Sequence, residues 1–316
     1  MDVVTIGETM VLFTPESTGL MRYAHQFNRN FGGAESNVAI GLSRMGHRAG
    51  WISRVGDDEF GRAMVSFIQG EGVDVSQVII DSDAPTGIYF KEFRRTNDVR
   101  VYYYRKLSAA SRLRNGDINK DYLAKTKYLH ITGITPALSN SCYEAIFYAI
   151  NLAKSQGVKV VFDPNLRKKL WSEEKARETL LAIASEADII LPGIEEGEFM
   201  FGEKDTDAIG KRFLDLGAKL VVLKVGEKGS VAYTTKEKIS VPGFVVGQVV
   251  DPVGAGDAFA AGFLSGQLDG LSLKESLRRG NALGAMATMA NGDVEGLPDR
   301  EEIKRFIEAD NMDVIR

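Results

Sequence analysis

The chain has 316 residues, of which 44% are hydrophobic and 26% charged, as in an ordinary globular protein. Its net charge of -4 gives no sign of a nucleic-acid partner, and no apolar run is long enough to span a membrane. The single cysteine, Cys142, excludes an internal disulfide and a zinc knuckle, and the N-terminus has no basic signal-peptide region. The cytoplasm is therefore the expected compartment.

The first predicted elements are a strand at 3–6 and a helix at about 33–45. Gly33 opens this helix and Asn37 lies in its early turns. Glycine allows a ligand hydroxyl to approach the backbone, and asparagine can both donate and accept a hydrogen bond. A glycine turn before a buried helix explains the same pattern without a ligand. Glu8, just after the strand, is interpreted as part of a plain loop.

A β-hairpin is predicted at 86–95 and 99–105, with turn residues at 96–98. It interrupts the alternation of strands and helices, as a small inserted sheet would. Tyr103 and Arg105 belong to a run of tyrosines and cations at its end. Arginine offers a planar fork for a carboxylate, and tyrosine adds a hydroxyl and a flat apolar wall. A tyrosine-rich dimer interface with a solvated arginine is the alternative.

The apolar run at 158–162 is typical of a parallel strand buried on both faces. Asp163, Asn165 and Arg167 follow at its carboxyl end, where open α/β sheets bind ligands. Arg167 is a candidate cation for a carboxylate or phosphate, and the other two are candidates for orienting a polar ligand or a hydrated metal. A simple Asp-Pro-Asn turn is the alternative.

The stretch Asp251-Pro252-Val253-Gly254-Ala255-Gly256-Asp257 carries the most information. Residues 239–250 before it are interpreted as β-rich, and 257–268 after it as a buried helix. A strand, a glycine turn and a helix start direct free amides and the helix dipole at an anion. A carboxylate beside such amides suits phosphoryl transfer, in which the amides hold developing charge and the carboxylate accepts a hydroxyl proton.

Two other glycine-rich motifs do not fit this stretch. It is not a Walker A loop, because no Gly-Lys-Ser/Thr follows. It is not a dinucleotide fingerprint either, because Phe259 stands in the place of the third glycine, and this disfavours a dehydrogenase. The turn by itself is equally compatible with a plain helix cap.

Two motifs together resemble those of the ribokinase-like (PfkB) carbohydrate kinases. Residues 251–257 are similar to the family's C-terminal signature, and residues 32–39, with Leu42 and Gly46 after them, to its N-terminal signature. The resemblance covers nearly the whole chain. It implies an α/β fold with a doubly wound, mostly parallel sheet and a small inserted β-sheet lid, which the alternating apolar strands and helices also favour.

The resemblance implies two domains. Residues 1–10, 32–83 and 107–316 would form a large α/β domain that binds nucleotide and sugar. Residues 11–31, which look irregular in their own pattern, and 84–106 would form a β lid. A lid would exclude water from the reaction. The family also uses it as a dimer surface, so a homodimer or higher homo-oligomer is expected.

The resemblance further assigns roles to individual residues. Asp257 is the expected general base, and the amides of Gly254, Ala255 and Gly256 the expected anion hole. ATP and Mg²⁺ are the expected cofactors, a monovalent cation is left open, and Glu196 would act on the metal through water although Gly193 replaces the family's asparagine. The expected sugar contacts are Gly33, Asn37, Tyr89, Tyr103, Arg105, Arg167, Asp257 and Asp293. The expected nucleotide contacts are Asn165, Lys224, Gly226, Lys228, Gly229, Ser230, Gly254, Ala255, Gly256 and Asn281.

The run at Tyr103 and Arg105 is more similar to family members that act on 2-keto-3-deoxygluconate than to those that act on fructose or adenosine. The expected function is therefore ATP-dependent phosphorylation of the terminal hydroxyl of this sugar acid. A neutral-sugar kinase of the same fold and, less favoured, a non-catalytic sugar-binding regulator are the alternatives. Because the transition state is loose, an aspartate with an ordinary low pKa would suffice as the base.

Overall fold

The computed structural model describes residues 1–95 and 98–313, so most of the turn predicted at 96–98 lies outside the described residues. The strands are, in chain order, β1 (Val3–Ile6), β2 (Met10–Pro15), β3 (Phe27–Gly32), β4 (Ala49–Gly56), β5 (Val78–Asp81), β6 (Ile88–Arg95), β7 (Asp98–Tyr104), β8 (Tyr128–Thr132), β9 (Lys159–Asp163), β10 (Ile189–Ile190), β11 (Leu220–Lys224), β12 (Ser230–Tyr233) and β13 (Lys238–Val241). The α-helices are α1 (Ala34–Arg44), α2 (Glu59–Gly70), α3 (Lys120–Leu123), α4 (Asn140–Ser155), α5 (Glu173–Ala184), α6 (Ile194–Phe201), α7 (Thr206–Asp215), α8 (Ala255–Leu268), α9 (Leu273–Ala287) and α10 (Arg300–Asp313).

The larger sheet has nine strands in the order β13-β12-β11-β10-β9-β8-β1-β4-β5. The strands from β11 to β5 in this order run parallel, and β12 and β13 are antiparallel at one edge. Both faces of strand β1 are covered, because Val3 lies in one buried apolar cluster and Val4 in another. The predicted doubly wound α/β fold is confirmed.

Helix ends follow the signals in the sequence. The Asp58 side chain accepts a hydrogen bond from the Gly61 amide at the start of α2, as a capping aspartate does. Gly46 and Gly157, which follow α1 and α4, have φ of 80° and 72°, a left-handed conformation that favours glycine. Among the described residues, no helix is both long and apolar enough to cross a membrane.

The smaller sheet has the order β3-β2-β6-β7. Its hairpin β6–β7 was predicted, whereas the irregular pattern expected for 11–31 is wrong, since this segment supplies β2 and β3. Strand β3 has a polar sequence, Phe-Asn-Arg-Asn-Phe-Gly, and it is held by antiparallel pairing with β2 instead of by a buried alternating face. The division of the chain into two domains stays a prediction.

The β-rich interpretation of 239–250 is also wrong for most of its length. Strand β13 ends at Val241, and residues 242–250 form an irregular segment in which Val245 is 96% exposed. Pro242 and Gly243 end the strand directly, because proline cannot donate to a ladder and glycine weakens it. A loop therefore precedes the glycine turn, in place of the expected strand.

Candidate active site

A cavity of about 700 Å³ lies at the carboxyl ends of β9 and β11 and is lined by residues of both sheets. Most of the predicted site residues line it. They are Gly33, Asn37, Tyr89, Tyr103, Arg105, Asn165, Arg167, Glu196, Lys224, Gly254, Gly256, Asp257 and Asp293. The predicted residues that do not line it are Ala255, Gly226, Lys228, Gly229, Ser230 and Asn281.

The turn before α8 contributes two glycines, Gly254 and Gly256, to the cavity lining. Gly254 has φ of 84°, and a Cβ at this position would lie 2.7 Å from the Asp293 carbonyl oxygen, so that both conformation and space require glycine. Gly254 and Gly256 are partly exposed, at a helix start where amides have no intrahelical acceptor. The Ala255 amide differs, because it makes a long 3.4 Å hydrogen bond to the Pro252 carbonyl.

Asp257 lies in the first turn of α8, and its carboxylate is buried. The Asn37 Nδ2 donates a 2.8 Å hydrogen bond to one carboxylate oxygen, and Asn165 Nδ2 lies 3.5 Å from the other. Burial raises the pKa of Asp257 to about 7, although the hydrogen bond from Asn37 opposes the shift; nearby Asp163 raises the pKa further. The carboxylate thus differs from an aspartate of ordinary low pKa and is matched to proton transfer near neutral pH.

Arg105 is not the free fork that the sequence led us to expect. Its Nε donates a 2.7 Å hydrogen bond to Glu8 Oε2, and its Nη2 contacts the same oxygen. Ser108 holds the other Glu8 oxygen at 2.5 Å, and the Arg105 guanidinium lies 5.6 Å from the Tyr103 ring centroid. Glu8 does lie in a loop, but only 2% of it is exposed, so its interpretation as a plain loop residue missed a buried charge in the cavity.

A second buried charge network, around Lys91, was also missed. Lys91 Nζ lies 2.5 Å from an Asp251 oxygen and 3.5 Å from an Asp293 oxygen. The Tyr89 hydroxyl donates to the other Asp293 oxygen at 3.0 Å. Tyr89 and Lys91 alternate along β6 and so share a face. A lysine on the same face as a tyrosine of an aromatic strand was the available signal.

The edge of the sheet beyond β9 and β11 carries a third polar group. Lys224 Nζ lies 2.6 Å from an Asp163 oxygen and 3.6 Å from the position that a Cβ on Gly256 would take. Burial lowers the pKa of Lys224, but Asp163, Glu196 and Asp257 together raise it by more. Lys224 is therefore a cation beside the exposed amides, which fits an anionic ligand at this point.

Glu196 lies near this edge and is held by two backbone amides. Its oxygens accept hydrogen bonds from Leu166 N at 3.0 Å and from Gly193 N at 2.6 Å. Burial raises its pKa, and the neighbouring Asp163 raises it further. Within residues 1–95 and 98–313, no group of three or more His, Cys, Asp or Glu side chains is arranged to hold a metal. This donor set fits a metal that arrives on phosphate groups and keeps most of its water.

The remaining predicted nucleotide residues form a separate group beside α9. The Asn281 side chain donates to the carbonyls of Val241 and Pro242 at 3.2 and 3.0 Å. Gly229, with φ of 98°, packs its backbone against residues 241–243. The small residues of α8 and α9 serve close packing, since a Cβ on Gly284 would lie 3.2 Å from the Ala255 carbonyl oxygen.

Comparison with known proteins shows the family to which this fold belongs. The family model described as pfkB family carbohydrate kinase matches residues 1–300. The 2-dehydro-3-deoxygluconokinase of Bacillus subtilis (strain 168) is 42% identical over 311 residues, which cover 98% of this chain and 96% of that protein. Fructokinase-1 of Zea mays is 34% identical over 316 residues, with 97% of each chain covered.

Solved structures have the same architecture. The PfkB protein from Polaromonas sp. JS666 superposes with a TM-score of 0.88 at 41% identity, over 96% of this chain and 99% of that one. A candidate ribokinase II from E. coli, in complex with ATP and Mg²⁺, gives a TM-score of 0.90 at 27% identity, over 98% and 99% of the two chains. The chain belongs to the pfkB family of carbohydrate kinases. The family and enzyme class that the two motifs predicted are confirmed.

Proposed function

We propose that the protein uses ATP to phosphorylate the terminal hydroxyl of 2-keto-3-deoxygluconate, also called 2-dehydro-3-deoxygluconate. The product is 2-keto-3-deoxy-6-phosphogluconate. The observation that carries the proposal is the position of Asp257, a buried carboxylate of near-neutral pKa at a helix start whose glycine amides face the same cavity. The 42% identical relative, a 2-dehydro-3-deoxygluconokinase, supports the choice of sugar acid.

In the proposed mechanism Asp257 accepts the proton of the attacking sugar hydroxyl. The hydroxyl oxygen forms a bond to the terminal phosphorus of ATP while the bond from that phosphorus to the bridging oxygen breaks, and the bridging oxygen leaves as part of ADP. Asn37 orients the carboxylate through its 2.8 Å hydrogen bond. The Gly254 and Gly256 amides, with Lys224 close by, stabilise negative charge on the moving group. Ala255, whose amide is partly engaged, would contribute less. Bound Mg·ATP supplies the phosphoryl group and part of the charge neutralisation.

The proposed nucleotide contacts extend from the cavity to the group beside α9. Asn165 and Lys224 would lie at the phosphates. Glu196 would act on the metal through water, since the Leu166 and Gly193 amides use only part of its accepting capacity. The outer contacts would be Gly226, Lys228, Gly229, Ser230 and Asn281. The E. coli structure with ATP and Mg²⁺ supports both cofactors. Activation by a monovalent cation is a further proposal, which a potassium titration of turnover tests.

The proposed sugar contacts also line the cavity. Arg105 would bind the substrate carboxylate with the nitrogen that Glu8 does not engage, and Tyr103 would flank it. Arg167 lines the cavity, and no carboxylate among the described residues lies within salt-bridge distance of it, so it is a second cation for carboxylate or phosphate. The other proposed contacts are Gly33, Asn37, Tyr89 and Asp293.

A neutral-sugar kinase is the second candidate function. One observation favours it, because Glu8 already neutralises Arg105, and a buried carboxylate beside that guanidinium disfavours a second one. The maize fructokinase relative supports the same alternative. A non-catalytic regulator remains the less favoured proposal, and any sugar-dependent ATP turnover would rule it out.

Release of ADP, measured with Mg·ATP and a panel of sugars, separates these functions. The panel contains 2-keto-3-deoxygluconate, 2-keto-gluconate, fructose, ribose and adenosine. Preference for the keto acids supports the first proposal. Preference for fructose would be compatible with the fold and with the proposed base, but it would contradict 2-keto-3-deoxygluconate as the substrate.

We also propose that the smaller sheet forms a homodimer or higher homo-oligomer and that the enzyme works in the cytoplasm. Tyr104, at the end of β7, is 66% exposed, and Leu107 just beyond it is 73% exposed. Apolar side chains at this sheet suit a contact between copies. Analytical ultracentrifugation of wild type and Tyr104→Lys tests the assembly, and a monomeric wild type would refute it.

A further inference from the structure

Lys91 is a charged side chain in a buried position, where a charge is unfavourable unless it has a partner or a function. Its side chain is 2% exposed and lies in β6 of the smaller sheet, between Asp251 and Asp293. Burying a lysine costs free energy that an ion pair recovers only partly, so such a pair is weak evidence of a purely stabilising role. The positions of its two partners indicate what else it does.

Both partners hold the anion-binding turn, residues 251–257. The second Asp251 oxygen accepts a 3.1 Å hydrogen bond from Val253 N, so this side chain shapes the start of the turn. Asp293 packs its backbone against Gly254, where a Cβ would be only 2.7 Å from the Asp293 carbonyl oxygen. Lys91 therefore contacts one carboxylate at the beginning of the turn and another that braces its middle.

The same strand face also borders the substrate cavity. Tyr89, two residues before Lys91, donates its hydroxyl to Asp293 and stacks on Tyr103 with ring centroids 5.8 Å apart. Strand β6 thus makes three polar contacts with the segments that hold the turn. A displacement of the smaller sheet would break these contacts and leave two buried carboxylates without their cation.

We propose that Lys91 is a positioning residue that links strand β6 to the anion-binding turn, so that the Gly254 and Gly256 amides take their reactive geometry only while the smaller sheet is packed against them. Lys91 also lines the cavity, but its ammonium is engaged by Asp251 and Asp293, so in this proposal it acts through these two carboxylates. The proposal deepens the proposed kinase function and rests on it for its kinetic consequences, but the structural link itself does not depend on the identity of the sugar.

A double-mutant cycle of Lys91→Met and Asp251→Asn tests the link. Each single variant is expected to lower kcat about 10- to 100-fold, because a misplacement of about 1 Å can cost about 100-fold. KM for ATP should stay within about threefold of wild type, since the proposed nucleotide contacts do not involve Lys91, Asp251 or Asp293. The double variant should lose no more kcat than either single variant, because the link is already broken. Losses that multiply, or a Lys91→Met variant with wild-type kcat, would overturn the proposal.

Arg54→Met is the matched control for lost stability. Arg54 is a buried cation between Asp81 and Asp117, outside the substrate cavity. We expect this variant to lose Tm as Lys91→Met does while its folded fraction keeps kcat. If Arg54→Met lost kcat to the same extent, the effect of Lys91→Met would be ordinary destabilisation and the proposal would fail.

Hydrogen exchange of the 253–257 amides gives a readout that needs no sugar. Exchange in the double variant should be faster than in wild type at these amides, with α4 unchanged. Unchanged exchange at the turn would refute the link even in an active enzyme. A wild type that phosphorylates no sugar of the panel would refute the proposed function, while faster exchange in the variant would still support the link.

Discussion

Asp251 and Asp257 lie at the two ends of one turn. Comparing them shows how the surroundings give two carboxylates of the same residue type different properties. Both are buried. Asp251 has a lysine ammonium at 2.5 Å, so its negative charge is balanced where it lies. Asp257 is contacted by the neutral side-chain amides of Asn37 and, at 3.5 Å, Asn165, and burial raises its pKa to about 7. The balanced carboxylate suits an anchor, and the unbalanced one suits a proton acceptor.

The largest expected effect comes from removing the unbalanced carboxylate. Asp257→Asn should lower kcat by about 10²- to 10⁴-fold, the range for loss of a general base. Asn keeps an acceptor for Asn37 but cannot take up the hydroxyl proton. Steady-state turnover with saturating ATP measures this. Near-full turnover would show that Asp257 is not the base. Asp251→Asn should lower kcat less than Asp257→Asn does, as expected if Asp251 is an anchor and Asp257 a proton acceptor.

The next effect concerns Arg105, the proposed contact of the substrate carboxylate. Arg105→Ala should raise KM for 2-keto-3-deoxygluconate by about 10- to 100-fold, since a hydrogen bond to a charged group contributes about 1.5–3 kcal/mol. KM for fructose should not change. Glu8→Gln sharpens the result, because a lower KM would mean that Glu8 repels the substrate carboxylate, and a higher one that it holds Arg105 in place. Equal effects of Arg105→Ala on both sugars would contradict the carboxylate contact.

A smaller effect is expected from Gly254→Ala. A left-handed alanine costs about 1–2 kcal/mol, and the Asp293 carbonyl crowds its Cβ as well. Gly270, with φ of 73° and no atom within 4 Å of a Cβ position, is the matched control. Thermal unfolding of Gly270→Ala should show the conformational strain alone, and kcat should fall only in Gly254→Ala. If both variants lost activity equally, the close approach at Gly254 would not matter for turnover.

The smallest expected effect is that of pH on Asp257. The proposed base, Asp257, must be deprotonated to accept a proton, so wild-type kcat/KM should fall with decreasing pH below about 7. The folded-state pKa of Asp257 lies above its unfolded value of 3.8, so the folded state retains the proton more tightly, and the stability contribution of this group is lost as pH rises from about 4 to about 7. Asp257→Asn should therefore gain Tm over wild type at pH 8 and not at pH 4. A constant difference in Tm would contradict the raised pKa.

The parts of the site that the sequence predicts are those whose chemistry lies within one local motif. The glycine turn and Asp257 were found because amides and carboxylate are neighbours in the chain. Lys91 and its partner Asp251 are 160 positions apart, and Arg105 and Glu8 are 97 apart, so no local pattern shows that these charges meet. The prediction of a strand over 239–250 was wrong for most of its length because it rested on a local pattern alone. The valines after β13 have high β-propensity, but no strand in the described part of the chain pairs with them.

The 2.8 Å hydrogen bond between Asn37 and Asp257 joins positions 220 residues apart, and this separation has a consequence for biosynthesis. The ribosome releases Asn37 and Arg105 early, and Asp257, the proposed base, very late. A nascent chain that has exposed β1, β4 and α1 still lacks the carboxylate, the amides and Asp293. Truncated translation products therefore cannot form a partial kinase, and phosphoryl transfer begins only when nearly the whole chain has folded.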